Sequence, residues 1–419
     1  MKKFFNCLAV GVLSFSLLGT LANTQRAHAE EKGVEISFMI PDWGVPTDEM
    51  LASFEEDSGI SVNVIPTSWD DIRDKVSTAA VGQTVAADVF EVDWSWTGEF
   101  VAADWLAPIE LSDETIQDIP NLETFKIEDK YYAVPYANDF RIAYTNKKMF
   151  EEAGIDELPA NWVSLIESAK QIKESGVVEY PISIPLLAEE NSTTTFIWLA
   201  YTRNGIVFND DNTINHDALV DVLTLIDELV KEELVNPANT NLSGMEAYGQ
   251  ITTGDTAFMT GPSSFVTRIN NEKESEVVGD VQPSRPLSKD GELSEMTVPF
   301  NEAIGISKYT EHPEEALEFV KWYTSAETQE MLNAEISATP TRLSVLEKLF
   351  GEGTIENGEV FYDVASTVKS PFPNGIPEYY AEMSAIIYNG VNQLATGQIS
   401  LDAAVEQIET AINSLASNN

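Results

Sequence analysis

Two aspartate–tryptophan pairs, Asp42-Trp43 and Asp93-Trp94, are followed in the second case by Trp96, and further along stand Asp139, Arg141, Glu302 and Arg342. An indole covers the apolar C–H face of a sugar ring, while carboxylates and a guanidinium accept and donate in pairs around its hydroxyl rim. The same acids suit a cationic solute, and two carboxylates across a cleft would imitate a glycosidase pair. A tryptophan taken singly is slightly better explained as core filling, but an acid next to an indole is awkward in a core. Both pairs also directly follow strand-like runs. For Asp139 the competing reading is a salt bridge to Arg141 that steadies the chain there, and Arg342 either reaches a cleft or caps a helix. Trp69, Trp105, Trp162, Trp198 and Trp322 lie on apolar helical faces or at helix starts and are expected to pack.

Other chemistries lack their residues. The three histidines, His28, His216 and His312, are isolated from one another, so no metal spacing exists. The acidic turns at 209–212 and 289–292 lack the spaced ligands and terminal acid of a calcium loop, and no phosphate-cradling glycine loop occurs. No cofactor is implied, and no second acid is placed as a proton donor, so no catalytic residue is assigned. With 24 basic against 69 acidic residues and a formal net charge of -45, nucleic acid and anionic membrane surfaces are poor partners.

The elements that must position these residues follow from periodicity. A chain of 419 residues exceeds one ordinary core, and 43% hydrophobic content is enough to fill two. Residues 1–29 read as a cleavable signal peptide: Lys2-Lys3, an apolar run from Leu8 to Leu21, and Ala27-His28-Ala29 before Glu30. This leader holds Lys2, Lys3, Arg26 and no acid, so the exported chain is more acidic still. No later apolar run is long enough to span a bilayer, and the only cysteine, Cys7, falls inside the leader. Strands are expected at 34–38, 61–65 and 88–92, with helices opened by Thr47 and by a capping box at Ser68 between them. Alternating strands and helices give an α/β layer with a largely parallel sheet, and ligands bind such sheets beyond the carboxyl ends of the strands. Asp42-Trp43 and Asp93-Trp94 fall there. Further strands are expected at 180–187 and 296–300, helices at 196–202 and 218–234 and from Pro313 and Ser325, a return passage of the chain at 343–350, and an amphipathic tail at 401–415.

The stretch Tyr132-Ala-Val-Pro135, then Asp139, then Tyr144-Thr-Asn-Lys147 and Met149-Phe-Glu-Glu-Ala-Gly-Ile155 resembles the first inter-lobe crossover of the extracellular solute-binding proteins of sugar importers, the maltose-binding-protein family. Gly261-Pro262, Thr339-Pro-Thr-Arg342, Phe372-Pro-Asn-Gly-Ile-Pro377 and Met383-Ser384 match the family pattern in order, so the resemblance covers residues 34–415. It implies a two-lobed, type II α/β fold with three hinge crossings: lobe one from 30–138 plus 303–342, lobe two from 139–302 plus 343–419. It further implies a monomer that carries a carbohydrate to the permease subunits of an ABC importer, with Ser263, Phe265 and Glu302 joining the residues above at the ligand. Cys7 stands too early for the family's lipid-attachment box, which leaves the periplasm or a cell surface as the location. Ser263 replaces the tryptophan that maltodextrin binders carry after Gly-Pro, and Ile387 replaces another, so a long maltodextrin is not the expected ligand. A polyamine or other cation, and an extracellular glycosidase, are the alternatives.

Overall fold

The alternation after Val34 builds β1 (Glu35–Ile40), whose Ile36, Phe38 and Ile40 are fully buried in the computed structural model, which describes residues 33–418. β2 (Ser61–Pro66) and β3 (Val89–Asp93) flank β1 in parallel. The helix Asp48–Ser58 begins as expected, with the Thr47 hydroxyl accepting from Met50 N, and stops at Gly59, whose φ of 74° suits a residue without a Cβ. Ser68 precedes the helix Trp69–Val81 but makes no side-chain cap bond, which corrects the expected capping box.

The chain continues through β4 (Leu106–Ala107), the β5 (Lys126–Ile127) and β6 (Lys130–Tyr131) hairpin, and β7 (Ala133–Ala137). β8 (Arg141–Asn146), β9 (Ile182–Ser183), β10 (Phe258–Pro262) and β11 (Val281–Ser284) make a separate sheet in the order β11-β8-β10-β9. β12 (Glu302–Ser307) then returns to the first sheet, whose order is β2-β1-β3-β12-β4, lying antiparallel to β3 and β4 and pairing β7 as well. A chain that leaves one sheet at Ala137 and enters the other at Arg141, then returns at Glu302, produces the two-lobed α/β fold expected from the sequence. The expected leader, residues 1–29 with Cys7 and His28, lies outside the described residues.

The link between sheets is tied down. Asn138, buried, donates from its backbone N to Thr339 O (2.7 Å) and from Nδ2 to Pro340 O (2.5 Å), and its Oδ1 accepts from Asn121 Nδ2 (2.6 Å). Asn138→Ala strands the Asn121 amide and the Pro340 carbonyl, and the expected loss is about 2 kcal/mol in denaturant unfolding with no change in the slope. A loss below about 0.5 kcal/mol would show that the link is not held this way.

Two expected strands shrink for identifiable reasons. The strand at 180–187 is reduced to Ile182–Ser183 because Pro185 has no N–H, and Asn239 and Asn392 side chains take the Ile184 and Leu186 carbonyls. Residues 296–300 make only an isolated bridge, Phe140 to Pro299. A helix at Glu359–Thr367, absent from the sequence reading, packs Phe361 and Val364 into the cluster around Phe140 and Phe350. Trp162 and Trp198 are core residues, as expected.

Candidate functional site

The carboxyl ends of β1 and β3, the end of β7 and the start of β12 converge because the last strand runs antiparallel to its neighbours. Short 3-10 turns, Asp42–Gly44 and Trp94–Trp96, follow β1 and β3 and project their side chains from that edge. Trp43 remains 48% exposed, and its Nε1 donates to Glu302 Oε2 at 2.7 Å. The same oxygen accepts from the Tyr136 hydroxyl at 3.0 Å. Asp93 accepts from Ser95 N (2.9 Å) and, at longer range, from Trp69 Nε1 (3.4 Å).

The second sheet and its helices supply the other side. Arg141, the first residue of β8, donates from one guanidinium nitrogen to Asp139 Oδ2 (2.6 Å) and from another to Thr194 Oγ1 (3.4 Å), and lies over the rings of Phe300 and Tyr248. Glu190, in the first turn of the helix Glu190–Asn204, accepts from the Tyr380 hydroxyl and the Ser384 hydroxyl, each at 2.5 Å. Trp94 fills the gap between the two groups: its ring centroid is 4.5 Å from Phe300, 4.9 Å from Tyr380 and 6.1 Å from Phe372. A surface cavity of 730 Å³ lies beyond Phe372, between Gly98, Tyr132 and Ile376, and none of Trp43, Asp93, Asp139, Arg141 or Glu302 lines it.

Burial of so many acids sets their chemistry. Burial pushes Glu302 up to about 8, reinforced by the negative charge of Asp139, against which the Trp43 bond pulls down. Burial likewise raises Asp93 to about 7 and Asp139 to about 6, the latter held back by Arg141. Glu190 is raised by burial, and Glu91, fully buried on β3, is raised well above the usual range by burial and by Glu302 and Asp93. Among the described residues no group of acidic, histidine or cysteine side chains is arranged to hold a metal ion. Several polar atoms have no protein partner: Arg141 Nε, Asp139 Oδ1 and Asn301 Nδ2 are buried and unpaired, side by side, since Asn301 Oδ1 accepts from Asp139 N. They are closed off from solvent here, so a ligand hydroxyl meets them only when the two sides of the site part.

The structure thus brings Trp43, Asp93, Trp94, Asp139, Arg141 and Glu302 together, with exposed Asp42 beside Trp43. It alters the expected role of the inner indoles. Trp94 and Trp96 are 3% and 5% exposed, Trp96 lying 5.0 Å from Trp69 and 5.7 Å from Phe100, so they wall the site and the open aromatic face is Trp43. Three expected residues are committed elsewhere. Ser263 is fully buried and donates to Asn138 O, and Phe265 packs on Tyr248 with Arg268 over its ring. Arg342 pairs with Asp118 at 2.9 Å and donates to Thr324 O, which makes it a brace at a helix start. Sequence reasoning passed over Tyr136, Glu190, Asn301 and Tyr380. Tyr136 and Asn301 flank residues already singled out, whereas nothing local marks Glu190 or Tyr380, which meet from helices far apart in the chain.

No described helix is long and apolar enough to cross a membrane. The family model "Bacterial extracellular solute-binding protein" matches residues 40–330. A binding protein of Brucella abortus is 26% identical over 265 residues, 61% of this chain, and the chain spans 63% of that relative's length. Among solved structures, an ABC transporter solute-binding protein of Agrobacterium radiobacter in complex with ribitol superposes with a TM-score of 0.80 at 19% identity, over 92% of this chain and 99% of that one. The maltose-bound T. maritima MalE3 does so with a TM-score of 0.78 at 20% identity, over 91% and 100%. The family match spans well over half of the chain and includes the site residues from Trp43 to Glu302, so this protein belongs to the bacterial extracellular solute-binding family.

Proposed function

We propose that the chain captures a small carbohydrate or polyol between its two sheets outside the cytoplasm and, as a single copy, delivers it to the membrane subunits of an ABC importer. The observation that carries this reading is the grouping of a half-exposed indole with unpaired, buried Arg141, Asp139 and Asn301 atoms at the junction of the lobes. The ligands in the two related structures, ribitol and maltose, share the hydroxyl-rich chemistry that such a grouping fits. Lobes linked near 138–140 and 301 close when a ligand touches both, because it stabilises the closed state only through contacts absent when open. Micromolar capture corresponds to about 8 kcal/mol, enough to hold the cleft closed and weak enough to release the solute to a transporter.

The far wall supports a short ligand. Ser263 and Ile387, which stand where a glucan platform would need indoles, are both completely buried. We read the site as binding rather than reacting, in keeping with the family, and product formation from any oligosaccharide would overturn that.

Calorimetry and thermal shift over a set of polyols, mono- and disaccharides test the reading, since a solute bound only by the native state raises the melting temperature. Trp43→Ala is the matching variant. The ring is 48% exposed, so stability should change by only about 0.5 kcal/mol. Affinity for the bound sugar should fall about tenfold as the stacking face is lost. Unaltered affinity would remove Trp43 from the site.

A further inference from the structure

The site carries more negative charge than an uncharged sugar needs. Glu302 stands directly opposite Asp93 on adjacent antiparallel strands, a register in which like charges repel. Glu91, two residues before Asp93 and therefore on the same face of β3, is completely buried, and neither of its carboxyl oxygens has a hydrogen-bond partner. The Arg141 guanidinium is taken by Asp139 at 2.6 Å. Glu302 is met only by neutral donors, Trp43 and Tyr136, and Asp93 only by Ser95 and Trp69. Without a ligand, burial and mutual repulsion leave protons on these acids near neutral pH, Asp93 rising to about 7 and Glu302 to about 8. A protonated amine supplies the same compensating charge without that proton. The exposed Trp43 ring, anchored by its N–H to Glu302, adds an aromatic face beside the carboxylate, where a cation is favoured.

We propose that the solute is an aminated carbohydrate or polyol, its ammonium group held by Glu302, Asp93 and the face of Trp43 while its hydroxyls reach Arg141, Asp139 and Asn301. This rests on the carbohydrate reading above and narrows it to one charge class. The net charge of -45 acts in the same direction by enriching cations near the chain.

The test is isothermal titration at pH 7 with matched pairs that differ only in the amine, glucosamine against glucose and chitosan disaccharide against cellobiose, with spermidine as an amine that is not a sugar. The amino member of a pair should bind about ten- to hundredfold tighter, the range of a hydrogen bond to a charged group. That ratio should fall to about threefold or less in Glu302→Gln, and in Asp93→Asn should the first variant fold poorly. Equal or tighter binding of the neutral members overturns the proposal and leaves the carbohydrate reading intact. Binding of spermidine without any sugar overturns both. An undiminished amine preference in both folded variants places the charge recognition elsewhere and overturns the assignment to these acids.

Discussion

Replacing Glu302 with glutamine should stabilise the unliganded protein at pH 9, by about 2–3 kcal/mol, and leave it nearly unchanged at pH 5. Glu302 titrates near 8 in the folded chain against an ordinary value of 4.5. Below 4.5 the group is protonated in both folded and unfolded chains, and its contribution is fully present. Between 4.5 and 8 the folded chain keeps a proton that the unfolded chain has released, so stability falls as pH rises. Above 8 the folded chain carries a charged carboxylate opposite Asp93, and a shift of that size corresponds to roughly 5 kcal/mol at about 1.4 kcal/mol per unit. The side chain is partly open to water, so about half of that is expected. Glutamine is neutral throughout and still offers an oxygen to Trp43 Nε1 and Tyr136. Urea unfolding at both pH values gives the result directly; a variant less stable than the parent at pH 9, or a difference independent of pH, would show that Glu302 is not a strained acid. Asp93, raised to about 7, gives the whole protein the same slope, so the unliganded chain should be most stable on the acid side of neutrality.

Part of the candidate site could be read from the sequence and part could not. Asp42-Trp43 and Asp93-Trp94 follow β1 and β3, parallel strands of a mixed sheet, and the rule that ligands gather beyond strand carboxyl ends singled out both without any knowledge of contacts. Asp139 and Arg141 stood out through the resemblance of the crossover to the family pattern, and the structure joins them in the ion pair that was the competing reading of Asp139. What the pattern could not supply was the direction of each ring. Trp94 looks like Trp43 in sequence, yet Phe300 and Tyr380 close over it, and both arrive from distant segments. Ser263 and Phe265 turn elsewhere and Arg342 takes its helix-start alternative for the same reason: a hydroxyl, a ring and a guanidinium are equally good at binding a ligand and at bonding Asn138 O, Tyr248 or Asp118, and only tertiary placement decides between them. The fold was more legible than the site because strand and helix periods are local, while the two strands overestimated at 180–187 and 296–300 each contain a proline whose missing N–H breaks the ladder.

The second large effect is expected at Arg141. Arg141 is 4% exposed, its guanidinium bonded to Asp139 at 2.6 Å and flanked by the rings of Phe300 and Tyr248 at 5.3 and 5.8 Å. Arg141→Met keeps an unbranched chain that packs well against aromatic edges, so the variant isolates the loss of charge from the loss of volume. Removing one member of a buried pair leaves the other uncompensated, and a loss of about 3–5 kcal/mol is expected at pH 8. The loss should be smaller at pH 5. Asp139 already titrates near 6 with its partner present, and without the cation it rises further, so acid supplies the proton that relieves it. Adding Asp139→Asn should recover most of the stability at pH 8, and the double-mutant cycle then measures the pair itself. Sugar affinity at pH 7 should nonetheless remain about a hundredfold weaker in the double variant, because neither the guanidinium nor the carboxylate is left to meet a ligand hydroxyl. Recovery of binding along with stability would mean that Asp139 and Arg141 serve only to brace the link between the sheets.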